Sequence, residues 1–179
     1  MDELLTLYPQ NVTLGSPYDT GTQNAITPEF KRISSILGDF VFQAPRRFFL
    51  NNVSGKQNTW SFSVLHIFPC LMLICPLHSR IDSHSVSKRL KSLPVLGSAH
   101  ASDLLNVYGG GDLTDFLVHF VTNLDPNGGL SPQWPRYTTS SRQLLTLLDS
   151  QVINRTITLD TYRVEGTEFI TKLSLGHPP

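Results

Sequence analysis

Apolar residues recur every three or four positions between residues 30 and 44, which predicts an amphipathic helix. Thr27 is the predicted N-cap, because Pro28 follows it at the first helical position. Gly38 and Pro45 interrupt the pattern, so we expect two or three helical pieces. The apolar stripe consists of Phe30, Ile33, Leu37, Phe40, Val41 and Ala44.

A second helix is predicted over residues 112–125, with Asp112 as its cap. The run Asp125–Gly129 ends this helix, because proline and paired glycines do not continue a helix. The apolar residues of this helix form a stripe along one face. That stripe consists of Leu113, Phe116, Leu117, Phe120, Val121 and Leu124.

Three short segments, 56–62, 93–96 and 144–148, combine β-branched, aromatic and aliphatic residues and are predicted as strands. Residues 8–28 are rich in Pro, Gly, Thr and Asn, which predicts a long loop. The last thirty residues are only weakly patterned and predict no element.

The 179 residues carry 14 basic and 14 acidic side chains, and 40% of them are hydrophobic. This length suffices for one domain with a core. A net charge of zero argues against nucleic acid as a partner, because a basic stripe supplies most of that affinity. The longest apolar run, from Val64 to Leu77, is too short to span a bilayer, so no transmembrane segment is predicted.

Four residues of the apolar run, His66, Cys70, Cys75 and His78, can be written as a zinc pattern. Structural zinc sites present paired ligands on tight turns, whereas these four are interleaved with side chains that favour burial. We therefore predict no metal and no other cofactor. A disulfide between Cys70 and Cys75 is a further alternative, which is also disfavoured.

Candidate chemistry centres on His100. This histidine follows the predicted strand 93–96 in a loop of small residues, where a general base can reach a serine on another element. Such a histidine is more often structural when nothing else points to catalysis. The sequence contains no Gly-x-Ser-x-Gly nucleophile elbow and no His-Gly-Gly-Gly oxyanion motif.

Ordered motifs occur along nearly the whole chain: Tyr8–Pro9, Gly15–Gly21, Pro28–Ile33, Leu37–Asp39, Arg46–Arg47, Leu93–His100, Asp125–Asn127, Trp134–Pro135 and Tyr137. They resemble type B carboxylesterases, and above all the secreted lipases and sterol esterases of fungi. The resemblance implies an α/β class chain: the C-terminal part of an α/β-hydrolase fold, with the last sheet strands and their flanking helices. It also implies that strand 93–97 lies beside strand 56–62 and that the 112–125 helix packs its apolar stripe against the sheet. One sheet edge and much apolar helix surface would then be exposed.

In that family the catalytic triad is Ser, Glu and His in chain order, and the resemblance places His100 on the histidine. The family's serine and glutamate both precede the segment that matches this chain. Asp103 matches a position that supports the histidine loop and is not expected to act as the triad acid. His119 is expected at the edge of the core or in solvent, and His177 is expected to be disordered.

The resemblance also sets residues 63–86 apart, because the family joins the flanking segments by one or two residues. We therefore predict a partial carboxylesterase domain over 1–179, interrupted at 63–86 by a foreign insertion that looks like a translated intron. This insertion is expected to pack poorly.

Two functional hypotheses follow. The chain is part of a carboxylic ester hydrolase that acts on an acyl ester or lipid in the complete enzyme. Alternatively, it is a non-catalytic fragment or pseudoenzyme from a truncated or mis-spliced gene, either inert or active only in binding. Sequons at Asn11, Asn52 and Asn154, without a signal peptide, predict a secreted glycoprotein parent whose front end is missing.

Overall fold

A computed structural model describes residues 2–11, 27–65, 107–108, 112–148 and 155–177. The helices are α1 (Asp2–Leu7), α2 (Phe30–Gly38), α3 (Ala44–Val53), α4 (Asp112–Asn123) and α5 (Val164–Gly176), and a π-helical turn (Asp39–Gln43) joins α2 to α3. The strands are β1 (Phe62–Leu65), β2 (Gln143–Leu148) and β3 (Arg155–Leu159). The chain divides into two compact units: the first comprises 1–59, 137–142 and 159–179, and the second 60–136 and 143–158.

The helical stretch predicted from residue 30 onwards is confirmed, and it is divided where Gly38 and Pro45 predict. Gly38 is the last residue of α2, and Pro45 lies in the first turn of α3. Thr27, however, is wrong as the N-cap. Helix α2 begins at Phe30, whose N–H donates to the Thr27 carbonyl at 3.1 Å across a turn that contains Pro28. No side chain caps this helix, and it starts two residues later than the expected first residue, Pro28.

The apolar stripe of α2 and the π-helical turn faces away from the core of the first unit. Leu37 and Phe40 are each 55% exposed, whereas Lys31, Ser35 and Asp39 on the opposite face are buried. The expectation of exposed apolar helix surface is confirmed for this stretch. Asp39 is buried because its carboxylate bonds to Tyr8 and Arg163, whereas the Ser35 hydroxyl donates to the Lys31 carbonyl within α2.

The sheet is mixed, and β2 is its central strand. β1 runs parallel to β2, with Phe62 opposite Leu145. β3 lies on the other side of β2 and runs antiparallel to it, because the Asp160 N–H donates to the Arg142 carbonyl at 2.8 Å. The strand predicted at 144–148 is confirmed.

The strand predicted at 56–62 is wrong, because pairing with β2 begins only at Phe62. Before that point, Thr59 bonds to Tyr137 through its carbonyl (2.7 Å) and hydroxyl (3.2 Å), outside any ladder. β1 continues through Ser63–Leu65, so the first residues of the predicted insertion belong to the sheet. Residues 66–86 lie outside the described residues.

The core of the second unit lies between α4 and the sheet. Leu113 and Phe116 are buried against Leu145 and Leu147, which confirms the predicted packing for the first part of the α4 stripe. Farther along the stripe the prediction is wrong. Phe120, Val121 and Leu124 are exposed, and the Phe120 ring packs edge-on against Trp60 with 5.7 Å between ring centroids.

Strand β3 and helix α5 occupy the tail for which the sequence pattern predicts no element. β3 is only five residues long, and α5 contains Gly166, which lowers intrinsic helix propensity. Tertiary packing explains both that glycine and the helix. The Gly166 backbone lies directly against the Tyr8 ring, in a cluster that includes Ala44 and Ile170.

Replacing Gly166 with alanine is expected to destabilise the first unit. The new Cβ would lie 2.6 Å from the Tyr8 hydroxyl oxygen and 2.9 Å from the ring carbon that bears it. Relief of that overlap should cost about 1–3 kcal/mol, measured by urea unfolding. Gly38→Ala is the matched control, because its Cβ meets nothing within 4 Å and an α-helical backbone favours alanine. Equal stability of Gly166→Ala and the natural chain would contradict the close approach.

Candidate functional site

The predicted catalytic histidine is not among the residues that the structure describes. His100, Asp103 and the predicted strand 93–96 all lie outside them, so their positions and roles stay predictions. The same holds for the two cysteines and for His66 and His78.

Two other histidines are described. His119 is half-buried on α4, with its ring against the Gly128 backbone, which agrees with a position at the core edge. The expectation of disorder at His177 is wrong. His177 follows α5, and its N–H donates to the Leu173 carbonyl at 3.0 Å, which completes the last helical turn.

Within the described ranges, no three His, Cys, Asp or Glu side chains lie together as metal ligands would. None of the described helices has both the length and the apolar character needed to cross a membrane. The first unit contains a cluster of buried ion pairs, which Asp160 and Asp39 form with arginines.

Asp160 is the centre of this cluster. Its carboxylate is buried, with 3% of the residue exposed. One oxygen accepts from Arg46 Nη2 at 2.8 Å and from Arg47 Nη2 and Nε at 2.6 and 2.9 Å. The second oxygen accepts from the Tyr137 hydroxyl at 3.4 Å. Asp160 is therefore bonded by Arg46, Arg47 and Tyr137. These three residues belong to the motifs of the family resemblance, whereas Asp160 does not.

Arg47 uses all of its N–H groups. Besides its bonds to Asp160, Nη1 donates to the Thr167 hydroxyl at 2.6 Å and to the Arg163 carbonyl at 3.5 Å. Nη2 also donates to the Tyr162 carbonyl at 2.7 Å. Arg47 thereby links α3 to the start of α5, with no donor left over for a substrate.

Asp39 forms a second buried ion pair in the same unit. One oxygen of its carboxylate accepts from Arg163 Nη2 at 2.7 Å, and the other accepts from the Tyr8 hydroxyl at 2.6 Å. Burial raises the pKa of Tyr8, and the hydrogen bond and charge of Asp39 raise it further. Tyr8 therefore stays a neutral donor, which ties the residue after α1 to the π-helical turn.

The two carboxylates are not suited to acid–base catalysis. Burial alone would raise the pKa of Asp160, but hydrogen bonds and charges from Arg46 and Arg47 dominate and lower it. A general acid or base needs a pKa close to the working pH and a free lone pair or proton. Both aspartates are instead fully engaged with arginine and tyrosine, so the cluster is a scaffold that holds α1, α3 and α5 together.

The sequence carried a partial signal for this scaffold. Arg46, Arg47 and Tyr137 belong to the motifs that support the family resemblance, but those motifs do not identify Asp160 as the partner of these residues. Asp160 and Arg163 lie in the weakly patterned tail. Arg47 and Asp160 are separated by 113 residues, so no local pattern pairs them.

Comparison with known proteins identifies fungal lipases as relatives. Lipase 4 of Diutina rugosa is 36% identical over 172 residues, which cover 93% of this chain and 27% of that lipase. Lipase 2 of Geotrichum candidum is 32% identical over 182 residues, covering 98% of this chain and 28% of that lipase. A secreted triacylglycerol lipase of Gibberella zeae is 30% identical over 181 residues, covering 93% and 26%.

The chain therefore spans about a quarter of the length of the curated relatives it matches. No family model matches it. The relatives imply an α/β-hydrolase fold, with which the described mixed sheet and its helices are consistent.

Proposed function

Because this chain is a homologue of the fungal lipases over most of its own length, we propose that it is the C-terminal part of a carboxylic ester hydrolase. The observation that supports this proposal is 36% identity to a lipase over 93% of the chain. Identity at this level over 172 residues requires a common fold, and in this fold the chain would contribute strands and helices around the site.

In this proposal His100 is the general base of the reaction. Its imidazole takes the proton of the serine hydroxyl as the serine oxygen attacks the ester carbonyl, and returns it to the leaving alkoxide. The 179-residue sequence contains no Gly-x-Ser-x-Gly elbow, so the nucleophile and the acid come from another segment of the complete lipase fold.

The proposed substrates are acyl esters, including triacylglycerols, the class printed in the name of the Gibberella relative. We also propose that the complete protein is a secreted glycoprotein, on the basis of its three sequons and of its secreted relative.

A non-catalytic role is the second candidate. It is favoured by the absence of a nucleophile elbow from the sequence and by the exposed apolar stripe of α2. Such a protein would bind or remain inert, and no ester would turn over whichever segment completed the fold.

A chimaera distinguishes the two candidates. We expect Diutina rugosa lipase 4, with its matched 172 residues replaced by this chain, to hydrolyse p-nitrophenyl butyrate and to accept a serine-directed phosphonate. The 179-residue chain alone should show neither reaction above the buffer rate, because it lacks the serine and an oxyanion hole. A folded chimaera without turnover or adduct would favour the non-catalytic role.

A further inference from the structure

A cavity of about 160 Å³ lies in the first unit, between α3, α5 and the turn that precedes β2. Phe48 of α3 and Val164 of α5 contribute apolar wall, and Arg142 and Lys172 contribute two cations. Since one water occupies about 30 Å³ of liquid volume, the space corresponds to about five waters or a small organic molecule.

The cations of the cavity differ in their availability. Arg47 also lines it, but its N–H groups are all used within the scaffold. In the part of the chain that the structure describes, the side chains of Arg142 and Lys172 make no hydrogen bond or ion pair. Both are therefore able to accept a new anionic partner.

The local charge is positive. Asp160 carries one negative charge but is shared by Arg46 and Arg47, which leaves one positive charge beneath the cavity. Arg142 and Lys172 add two more, and Glu168 on the cavity wall removes one. The balance of four cations and two carboxylates favours an anion over a cation.

Arg142 is anchored in an unusual backbone conformation. Its φ is 45°, a left-handed value that is rare for a residue with a side chain. Its N–H donates to the Thr138 carbonyl at 2.7 Å, and its carbonyl accepts from the Asp160 N–H at 2.8 Å. The backbone bonds fix the point from which the guanidinium extends, and strain of this kind often accompanies binding sites.

We propose that this cavity binds a small organic carboxylate, with Arg142 and Lys172 holding the carboxylate and Phe48 and Val164 contacting a short alkyl chain. Guanidinium groups match the planar carboxylate through paired N–H···O bonds. The apolar wall favours an alkyl acid over inorganic phosphate. This site is independent of the catalytic proposal, because all the residues that line the cavity belong to the first unit and His100 is not among them.

Titration of the whole chain with sodium butyrate, followed by NMR or calorimetry, tests the proposal. We expect saturable binding with Kd on the order of 1 mM that weakens with added salt. Butyramide has a similar shape but no charge and should bind at least about tenfold more weakly. Arg142→Gln and Lys172→Gln should each weaken butyrate binding about tenfold, while Glu168→Gln should tighten it.

Lys56→Gln is the matched control, because Lys56 is exposed and does not line the cavity. Thermal unfolding of each variant verifies that it is folded, and Lys172→Gln decides the result if Arg142→Gln unfolds. Equal affinity for butyramide and butyrate, or unchanged affinity in folded Lys172→Gln, would overturn the proposal. Loss of binding in Lys56→Gln would overturn it too, because it would indicate non-specific charge attraction.

Discussion

Replacement of Asp160 with alanine is expected to lower the free energy of unfolding by about 3–5 kcal/mol. The change leaves the buried guanidinium of Arg47 without its counter-charge, and it also removes a partner from Arg46 and Tyr137. Burial of an unpaired charge costs far more than the loss of a surface ion pair, which typically costs less than about 1 kcal/mol. The aspartate should therefore be one of the most sensitive positions in the scaffold.

Urea unfolding at pH 7 and at pH 3 measures this effect. The arginines lower the folded-state pKa of Asp160 below its unfolded value, so the unfolded chain binds a proton first as the pH falls. The contribution is complete above about pH 4–5 and is lost as the pH falls through the folded-state pKa. We expect the natural chain to lose more stability between pH 7 and pH 3 than Asp160→Ala does.

Asp115→Ala is the matched control for the Asp160 variant. Asp115 is exposed on α4, and its replacement should change stability by less than about 0.5 kcal/mol. If Asp160→Ala and Asp115→Ala unfolded at the same urea concentration, the buried ion pairs would not have the structural role assigned to them here.

Hydrophobic periodicity predicted two helical stretches, but it missed α1 and α5 and did not predict which faces are buried. The helix at α4 and the division of the first helical stretch at Gly38 and Pro45 both follow from local sequence rules. The buried face of α2 and the π-helical turn does not, because it carries Lys31, Ser35 and Asp39. Asp39 pairs with Arg163, 124 residues further along the chain, and a stripe of apolar residues contains no information about such a partner.

Strand boundaries depended on partners that local propensity does not reveal. β1 begins where β2 supplies partners, with the Leu145 N–H donating to the Ser61 carbonyl and Phe62 opposite Leu145, although the β-like composition starts at residue 56. β3 was missed because its five residues lie in the weakly patterned tail, where nothing in the local sequence shows that they pair with β2. The strand at 144–148 was easier, since nearly every residue in it is apolar and buried.

The candidate site also has one part that the sequence predicted and another that only the structure showed. The resemblance led to His100, and the relatives support the family to which that assignment belongs. The scaffold required coordinates, because Asp160 meets Arg47 across 113 residues of sequence. Local sequence patterns therefore indicated the chemistry of the chain but not the ion pairs that hold the first unit together.

Substitution of His100 by alanine in the lipase chimaera is expected to lower kcat by about 10⁴–10⁶-fold. Without the imidazole, the serine hydroxyl loses the base that accepts its proton, and the leaving alkoxide loses its acid. The remaining groups give only the residual catalysis of binding and oxyanion stabilisation. KM should change little, because the histidine contributes to the transition state more than to substrate binding.

The most direct test that this chain supplies the catalytic histidine is the kinetics of p-nitrophenyl butyrate hydrolysis by the His100→Ala chimaera. The His119→Ala chimaera is the control. His119 packs against Gly128 at the edge of the second unit, so its loss should leave kcat within about tenfold of the unmodified chimaera in a folded variant. Both variants are compared by thermal unfolding. The proposal predicts near-complete loss of turnover in a folded His100→Ala chimaera, whereas retention of full turnover in that variant would contradict it.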